Sequence, residues 1–166
     1  MRKIIALSLG VVFLIFSLTG CINTTTLPKE MPEDFSFSIV WGTIHSYDSE
    51  TGTLAKRQDK EYTTTYMMSE EELQTVYNLI YKLNIEKYDD EIGQDEFLGA
   101  APSINMKLTV HVGDLEKTII ATGTAGFNSG KTLRAKKYAK TLAAIADILT
   151  ATEEWQALPP ILDMIY

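Results

Sequence analysis

Strict alternation of apolar and polar residues in two separate stretches is the feature of this sequence that most restricts its fold. The first stretch has apolar side chains at every second position, at Phe35, Phe37, Ile39 and Trp41. The second repeats the pattern at Ile104, Met106, Leu108, Val110 and Val112. A period of two is typical of a β-strand with one buried face. Both stretches therefore predict strands of a sheet with one apolar and one polar face.

Short segments beside turn residues predict three more strands. Residues 47–52 (YDSETG) are rich in turn formers, and Gly113-Asp114 suits a tight connection after the second alternating stretch. The additional strands are residues 53–56, 62–67 and 115–121. Because hairpin connections join antiparallel neighbours, we expect an antiparallel sheet of about five strands.

Two helices are predicted from apolar residues that recur every three or four positions. Ser69 and Glu72 form a capping box ahead of the first stripe, Leu73, Val76, Tyr77, Ile80 and Leu83. The second helix covers residues 131–149, with Ser129 as its expected N-cap, and residues 152–156 add a further helical turn. The order β-β-β-α-β-β-α predicts an α+β fold with both helices on one face of the sheet.

The N-terminal residues predict export and lipid attachment. Arg2 and Lys3 precede an apolar run at residues 4–16, and residues 18–21 are Leu-Thr-Gly-Cys. This resembles the lipobox signal peptide of bacterial lipoproteins. The resemblance implies that diacylglycerol alkylates the Cys21 thiol before cleavage makes Cys21 the mature N-terminus. We therefore expect a signal peptide at residues 1–20 and a lipid anchor that holds the chain on the extracytoplasmic face of the cell membrane.

The remaining chain divides into a tether and one domain. Residues 22–33 are rich in Thr and Pro, so residues 21–33 are expected to form an extended lipidated tether with a reach of up to roughly 40 Å. A single α+β domain is then expected at residues 34–166. Cys21 is the only cysteine, which excludes disulfides within the chain and leaves the domain without a thiol nucleophile.

Further motifs resemble small lipoproteins of Gram-positive bacteria. They are Phe35-x-Phe37, Ser69-x-x-Glu72, Ser129-Gly130-Lys131 and Glu153-Glu154-Trp155-x-x-Leu158-Pro159. The resemblance implies an envelope protein on the outer face of the cytoplasmic membrane, and a periplasmic location remains an alternative. That family has no established activity, so the only functional role that the resemblance supplies is the lipidation of Cys21.

Charge narrows the choice of partners. The formal net charge is −7, and it becomes −9 when Arg2 and Lys3 leave with the signal peptide. A domain this acidic is a poor general binder of nucleic acid. Five cations nevertheless fall within ten residues, namely Lys131, Arg134, Lys136, Lys137 and Lys140. They are candidate contacts for an anionic partner such as lipid headgroups or wall polymer, and a solvated helix face is the alternative.

Residues 125–132 (AGFNSGKT) match the spacing of a phosphate-binding loop. In that interpretation Lys131 would neutralise a triphosphate and Thr132 would hold magnesium. The preceding strand is expected to be antiparallel to its neighbour, whereas such loops follow a strand of a parallel sheet. We therefore predict a glycine-rich loop before a helix and no cofactor.

Other candidate catalytic and metal-binding residues are scattered. His45 and His111 fall on strands without metal-ligand spacing, and no serine lies in a recognisable nucleophile motif. Residues 89–96 carry five carboxylates, which leaves calcium binding open, although their spacing is not that of an EF-hand. We expect neither a catalytic set nor a metal site.

These observations favour a non-enzymatic binding or accessory domain at the cell envelope. The expected partners are the membrane, through the lipid on Cys21, and an envelope protein, with a small ligand as a weaker possibility. Two alternatives remain open. The first is an envelope hydrolase or enzyme inhibitor, and the second is a domain that contacts anionic wall polymer or lipid headgroups through residues 131–140.

Overall fold

A computed structural model describes residues 26–42, 45–57, 61–98 and 104–160. These residues form an α+β fold with a mixed sheet and a helical layer, so the predicted class is confirmed. The strands are β1 (Ser36–Trp41), β2 (His45–Asp48), β3 (Thr53–Arg57), β4 (Glu61–Thr65), β5 (Glu91–Ile92), β6 (Ile104–Val112) and β7 (Leu115–Thr124). The helices are α1 (Glu70–Leu83), α2 (Leu133–Thr150) and the short α3 (Glu153–Ala157).

The sheet has its two alternating strands at the centre. The strand order across the described residues is β4-β3-β2-β1-β6-β7-β5, and β1 and β6 pair antiparallel. Phe37 lies opposite Val110 and Ile39 opposite Leu108, so the apolar residues of both strands line the same face. This apolar face of the sheet packs into the hydrophobic core, as the alternation of apolar and polar residues predicts.

The sheet differs from the prediction in strand number and direction. Seven strands occur in the described residues instead of about five, and β5 runs parallel to β7. β2 was assigned partly to a turn, but the turn begins only after Asp48, whose Oδ1 accepts a hydrogen bond from Thr51 N. β5 contains two residues inside residues 89–96, which we call the acidic segment, and so short a strand has no periodic signal.

Both long helices cover the apolar face. α1 begins at the predicted capping box, in which Ser69 Oγ accepts from Glu72 N and the Glu72 carboxylate accepts from Ser69 N. α2 is anchored by Tyr138, which is completely buried and donates to the backbone oxygen of Ile119 in β7. A buried hydroxyl with a partner avoids the desolvation cost of an unpaired one.

Residues 27–33, predicted as part of the tether, contact the domain. Leu27 is buried in the core cluster, and Met31 packs against that cluster. Tyr77 of α1 donates a hydrogen bond to Pro28 O, and Asp34 accepts one from Gly113 N. Leu27 is therefore already part of the packed domain, so a free tether after Cys21 could contain no more than residues 22–26.

The predicted signal peptide (residues 1–20), Cys21 and the last six residues of the predicted domain lie outside the described residues. Among the helices of the described ranges, none is both long enough and apolar enough to cross a membrane.

Candidate functional site

The five predicted surface cations have different environments at the start of α2. Arg134 and Lys131 contact the acidic segment, and Lys137 Nζ donates to Leu83 O at the end of α1. The side chains of Lys136 and Lys140 are exposed and make no hydrogen bond or ion pair with any residue that the structure describes. The cationic surface open to a partner is therefore smaller than the sequence suggested.

Arg134 joins α2 to two carboxylates of the acidic segment. Its Nη1 donates to Asp89 Oδ2 at 2.8 Å and its Nη2 to Glu96 Oε1 at 2.5 Å. The Glu96 side chain is only 16 % exposed, and its Oε2 also accepts from the Thr132 hydroxyl at 2.7 Å. Hydrogen bonds from Arg134 and Thr132 hold the pKa of Glu96 below its usual range. Arg134 therefore holds both ends of the acidic segment, at Asp89 and Glu96, to α2.

Replacing Arg134 with methionine is expected to lower the free energy of unfolding by about 2 kcal/mol, because the half-buried Glu96 carboxylate loses its charged donor. Lys136→Met removes the same charge from an exposed side chain and should change stability by less than about 0.5 kcal/mol. Urea unfolding at neutral pH measures both values. Equal effects of the two substitutions would contradict the structural role of Arg134.

The pH dependence of this difference follows from the lowered pKa of Glu96. The ion pair contributes fully above the ordinary glutamate pKa of 4.5, and its contribution is lost as pH falls through the lower pKa of the folded state. The stability difference between the wild type and Arg134→Met should therefore shrink below pH 4.5.

The segment that matches a phosphate-binding loop is bonded to its own chain. Lys131 N donates to Glu96 O, Ser129 N donates to Gly126 O, and Leu98 N donates to Ser129 O. The preceding strand β7 is antiparallel to β6, as predicted. Two of the backbone N–H groups that a phosphate would require, those of Ser129 and Lys131, are thus already donating within the protein.

The predicted N-cap of α2 was wrong by three residues. Thr132 is the cap, and its hydroxyl accepts from Ala135 N. The Ser129 hydroxyl instead accepts from Ala125 N and donates to Gly126 O, which closes the loop before the helix. Both residues are good capping types, so composition alone did not distinguish them.

The carboxylates of the acidic segment make contacts within the protein. Besides the two bound by Arg134, Asp90 accepts from Lys117 Nζ at 2.6 Å and Glu91 from the Thr122 hydroxyl at 3.0 Å. Ile92 in this segment and Phe97 directly after it are completely buried. Within the described ranges no group of three or more His, Cys, Asp or Glu residues is arranged to hold a metal ion. The acidic segment is thus a packed edge of the sheet.

The two histidines lie on opposite faces of the sheet. His111 is partly exposed on the polar face, 3.8 Å from Glu116. His45 is 8 % exposed and lies edge-on to Trp155, with Trp41 beside it. Burial, with Lys56 as a second cause, lowers the pKa of His45. His45 therefore packs as a neutral ring in an aromatic cluster.

One groove brings the open cations together with other side chains that could contact a partner. It has a volume of about 410 Å³ and is lined by Phe127, Asn128, Lys136, Lys140 and Ala143. Leu133 lies three residues before Lys136 and seven before Lys140, which places all three on one side of α2. Its side chain is 86 % exposed. We refer to Phe127, Asn128, Leu133, Lys136 and Lys140 as the helix-face patch.

Of the helix-face patch, only the two lysines are predicted from the sequence as partner contacts. Leu133 could have been noticed as the apolar residue at helical spacing from two lysines. Phe127 and Asn128 gave no comparable signal, because their position beside α2 depends on how the loop after β7 folds back.

We found no protein-family model that matches this chain and no curated protein with significant similarity to it.

Proposed function

We propose that this protein is a lipid-anchored, extracytoplasmic lipoprotein whose domain binds an anionic component of the cell envelope without turning it over. The observation that carries the proposal is the helix-face patch. There, two lysines line the same groove as an aromatic ring and an amide. Such a surface offers charge-assisted hydrogen bonds and apolar contact together.

The sequence supports the proposed anchor, and the burial of Leu27 supports a position of the domain close to that anchor. Residues 18–21 match a lipobox, and Leu27, only six residues after Cys21, is buried in the core. An anchored domain with so short a connection would stay beside the membrane surface, and it would bind its partner at that surface.

The groove suits a partner that carries a negative group. Lys136 and Lys140 are one turn apart on α2, so one carboxylate or phosphate could contact both ammonium groups. Phe127 is half-buried at the groove and offers an apolar surface beside them. A matching partner has an anionic group next to apolar atoms. Both an acidic protein segment and a lipid phosphate have this chemistry.

Photo-crosslinking tests the proposal in cells. A benzophenone amino acid in place of Asn128, which is exposed at the groove, should give discrete adducts in the full-length protein. The same amino acid in place of Thr63, exposed on edge strand β4, serves as the control. Adducts at position 128 that disappear in the Lys136→Glu, Lys140→Glu variant support binding at the patch. Equal yields at both positions would contradict it.

A further inference from the structure

We infer that the helix-face patch rests on anionic lipid headgroups of the membrane that holds the anchor. This inference rests on the proposed function, since it assumes the lipid on Cys21, and it adds the chemical class of the partner. The occupant is a phosphate-bearing lipid surface. An envelope protein or a wall polymer at the patch is an alternative outcome of the test below.

The short connection limits where the domain can sit. Six residue steps separate Cys21 from Leu27, which is buried in the core, and they span at most about 20 Å when fully extended. A domain whose packing began at residue 34 would have allowed about twice this reach. The domain is therefore confined to a layer next to the membrane, where its effective concentration at the lipid surface is high.

The patch lies within this reach of the point where the chain meets the domain. Pro28 accepts a hydrogen bond from Tyr77 of α1. Leu83 follows six residues later, about 9 Å along the helix axis, and its carbonyl accepts from Lys137 of α2. Adjacent helix axes are about 8–10 Å apart, so the attachment point and the lysines of α2 are on the order of 15 Å from each other. The anchor and the patch can thus reach the same surface.

The charges of the helical layer favour this orientation. Lys82, next to Leu83 on α1, is exposed, so it extends the basic region of Lys136, Lys137 and Lys140. The next acidic residue on α2 is Asp147, two turns beyond Lys140. Each lysine near an anionic membrane strengthens binding to it about five-fold. An otherwise acidic domain would be repelled by such a membrane on most other sides.

An exposed apolar side chain completes the match to a lipid interface. Leu133 is 86 % exposed and shares a helix face with the lysines, and Leu98, 56 % exposed, belongs to the segment whose backbone pairs with the loop before α2. Lone exposed leucines are common, but an interfacial surface combines apolar tips with flanking lysines. A lipid anchor together with a basic patch is a pair of signals sufficient for stable attachment.

Spin-label depth measurements on the full-length lipidated protein test this inference. The Cys21 thiol is consumed by its thioether, so Asn128→Cys provides one reactive thiol at the groove and Thr63→Cys provides one on β4. In vesicles of equal parts phosphatidylglycerol and phosphatidylcholine, the label at position 128 should be shielded from a water-soluble nickel chelate. The label at position 63 should stay accessible. In pure phosphatidylcholine vesicles both labels should be accessible.

Charge reversal provides the matched control. Lys136→Glu should lower the ratio of shielded to accessible label at least about five-fold, and high salt should act in the same direction. Lys107→Glu makes the same charge change on the exposed polar face of the sheet and should leave the ratio unchanged. Equal accessibility in both vesicle types, or shielding only when wall polymer or another envelope protein is added, would overturn the inference.

A separate measurement tests the proposed function. If the mass of the N-terminal peptide showed no diacylglycerol on Cys21, the proposed function would be refuted.

Discussion

Replacing Gly130 with alanine is expected to destabilise the domain by about 3 kcal/mol or more, a large fraction of the stability of a domain this size. A Cβ at this position would lie 2.6 Å from Lys136 N and 2.9 Å from Ala135 C. Both atoms belong to the backbone of α2, so no side-chain rotation relieves the contact. Gly130 also forms the bridge to Phe97 that joins the loop to the acidic segment.

Gly126, in the same loop, is the matched control. Its φ is +104° and a Cβ there would meet nothing within 4 Å, so Gly126→Ala costs only backbone strain, about 1–2 kcal/mol. Urea midpoints of the two variants, measured with an unchanged slope, give the comparison. Gly130→Ala should unfold at the lower urea concentration. If the two variants were equally stable, the close approach of this loop to α2 would be contradicted.

The parts of the fold that the sequence predicted are those with a local signal. Alternation identified β1 and β6 because one face of each strand is buried, and the capping box located the start of α1. β5 was missed because two residues cannot show a period, and its pairing with β7 depends on how the chain returns from α1 to the sheet edge. Tertiary contact determines such a strand, and local propensity does not.

The candidate site shows the same division. The cluster of cations on α2 was visible in the sequence, but the ion pairs of Arg134 join residues 45 and 38 positions apart. Positive charge in the sequence therefore does not distinguish Arg134, which forms ion pairs within the protein, from Lys136 and Lys140, whose side chains are exposed. Burial of Leu27 was likewise unexpected, because the flanking Thr and Pro residues are typical of an extended linker. That single contact changes the expected reach of the anchor.

Replacing Cys21 with alanine is expected to block lipidation and processing completely. The proposed anchor requires the thiol sulfur, and no other cysteine can substitute for it. Because cleavage in such proteins follows alkylation, the variant should retain residues 1–20, whereas the wild type should lose them. The folded domain should be unaffected, since Leu27, which packs in the core, lies six residues after the substituted position. The thermal unfolding midpoint of the variant serves as the control for folding.

The mass of the N-terminal peptide of the protein isolated from cell membranes tests the central claim most directly. We predict a peptide that begins at Cys21 and carries a diacylglyceryl group in thioether linkage, and for Cys21→Ala an unmodified chain that still carries residues 1–20. A wild-type peptide that begins upstream of Cys21, or that begins at Cys21 with a free thiol, would contradict a lipid-anchored domain.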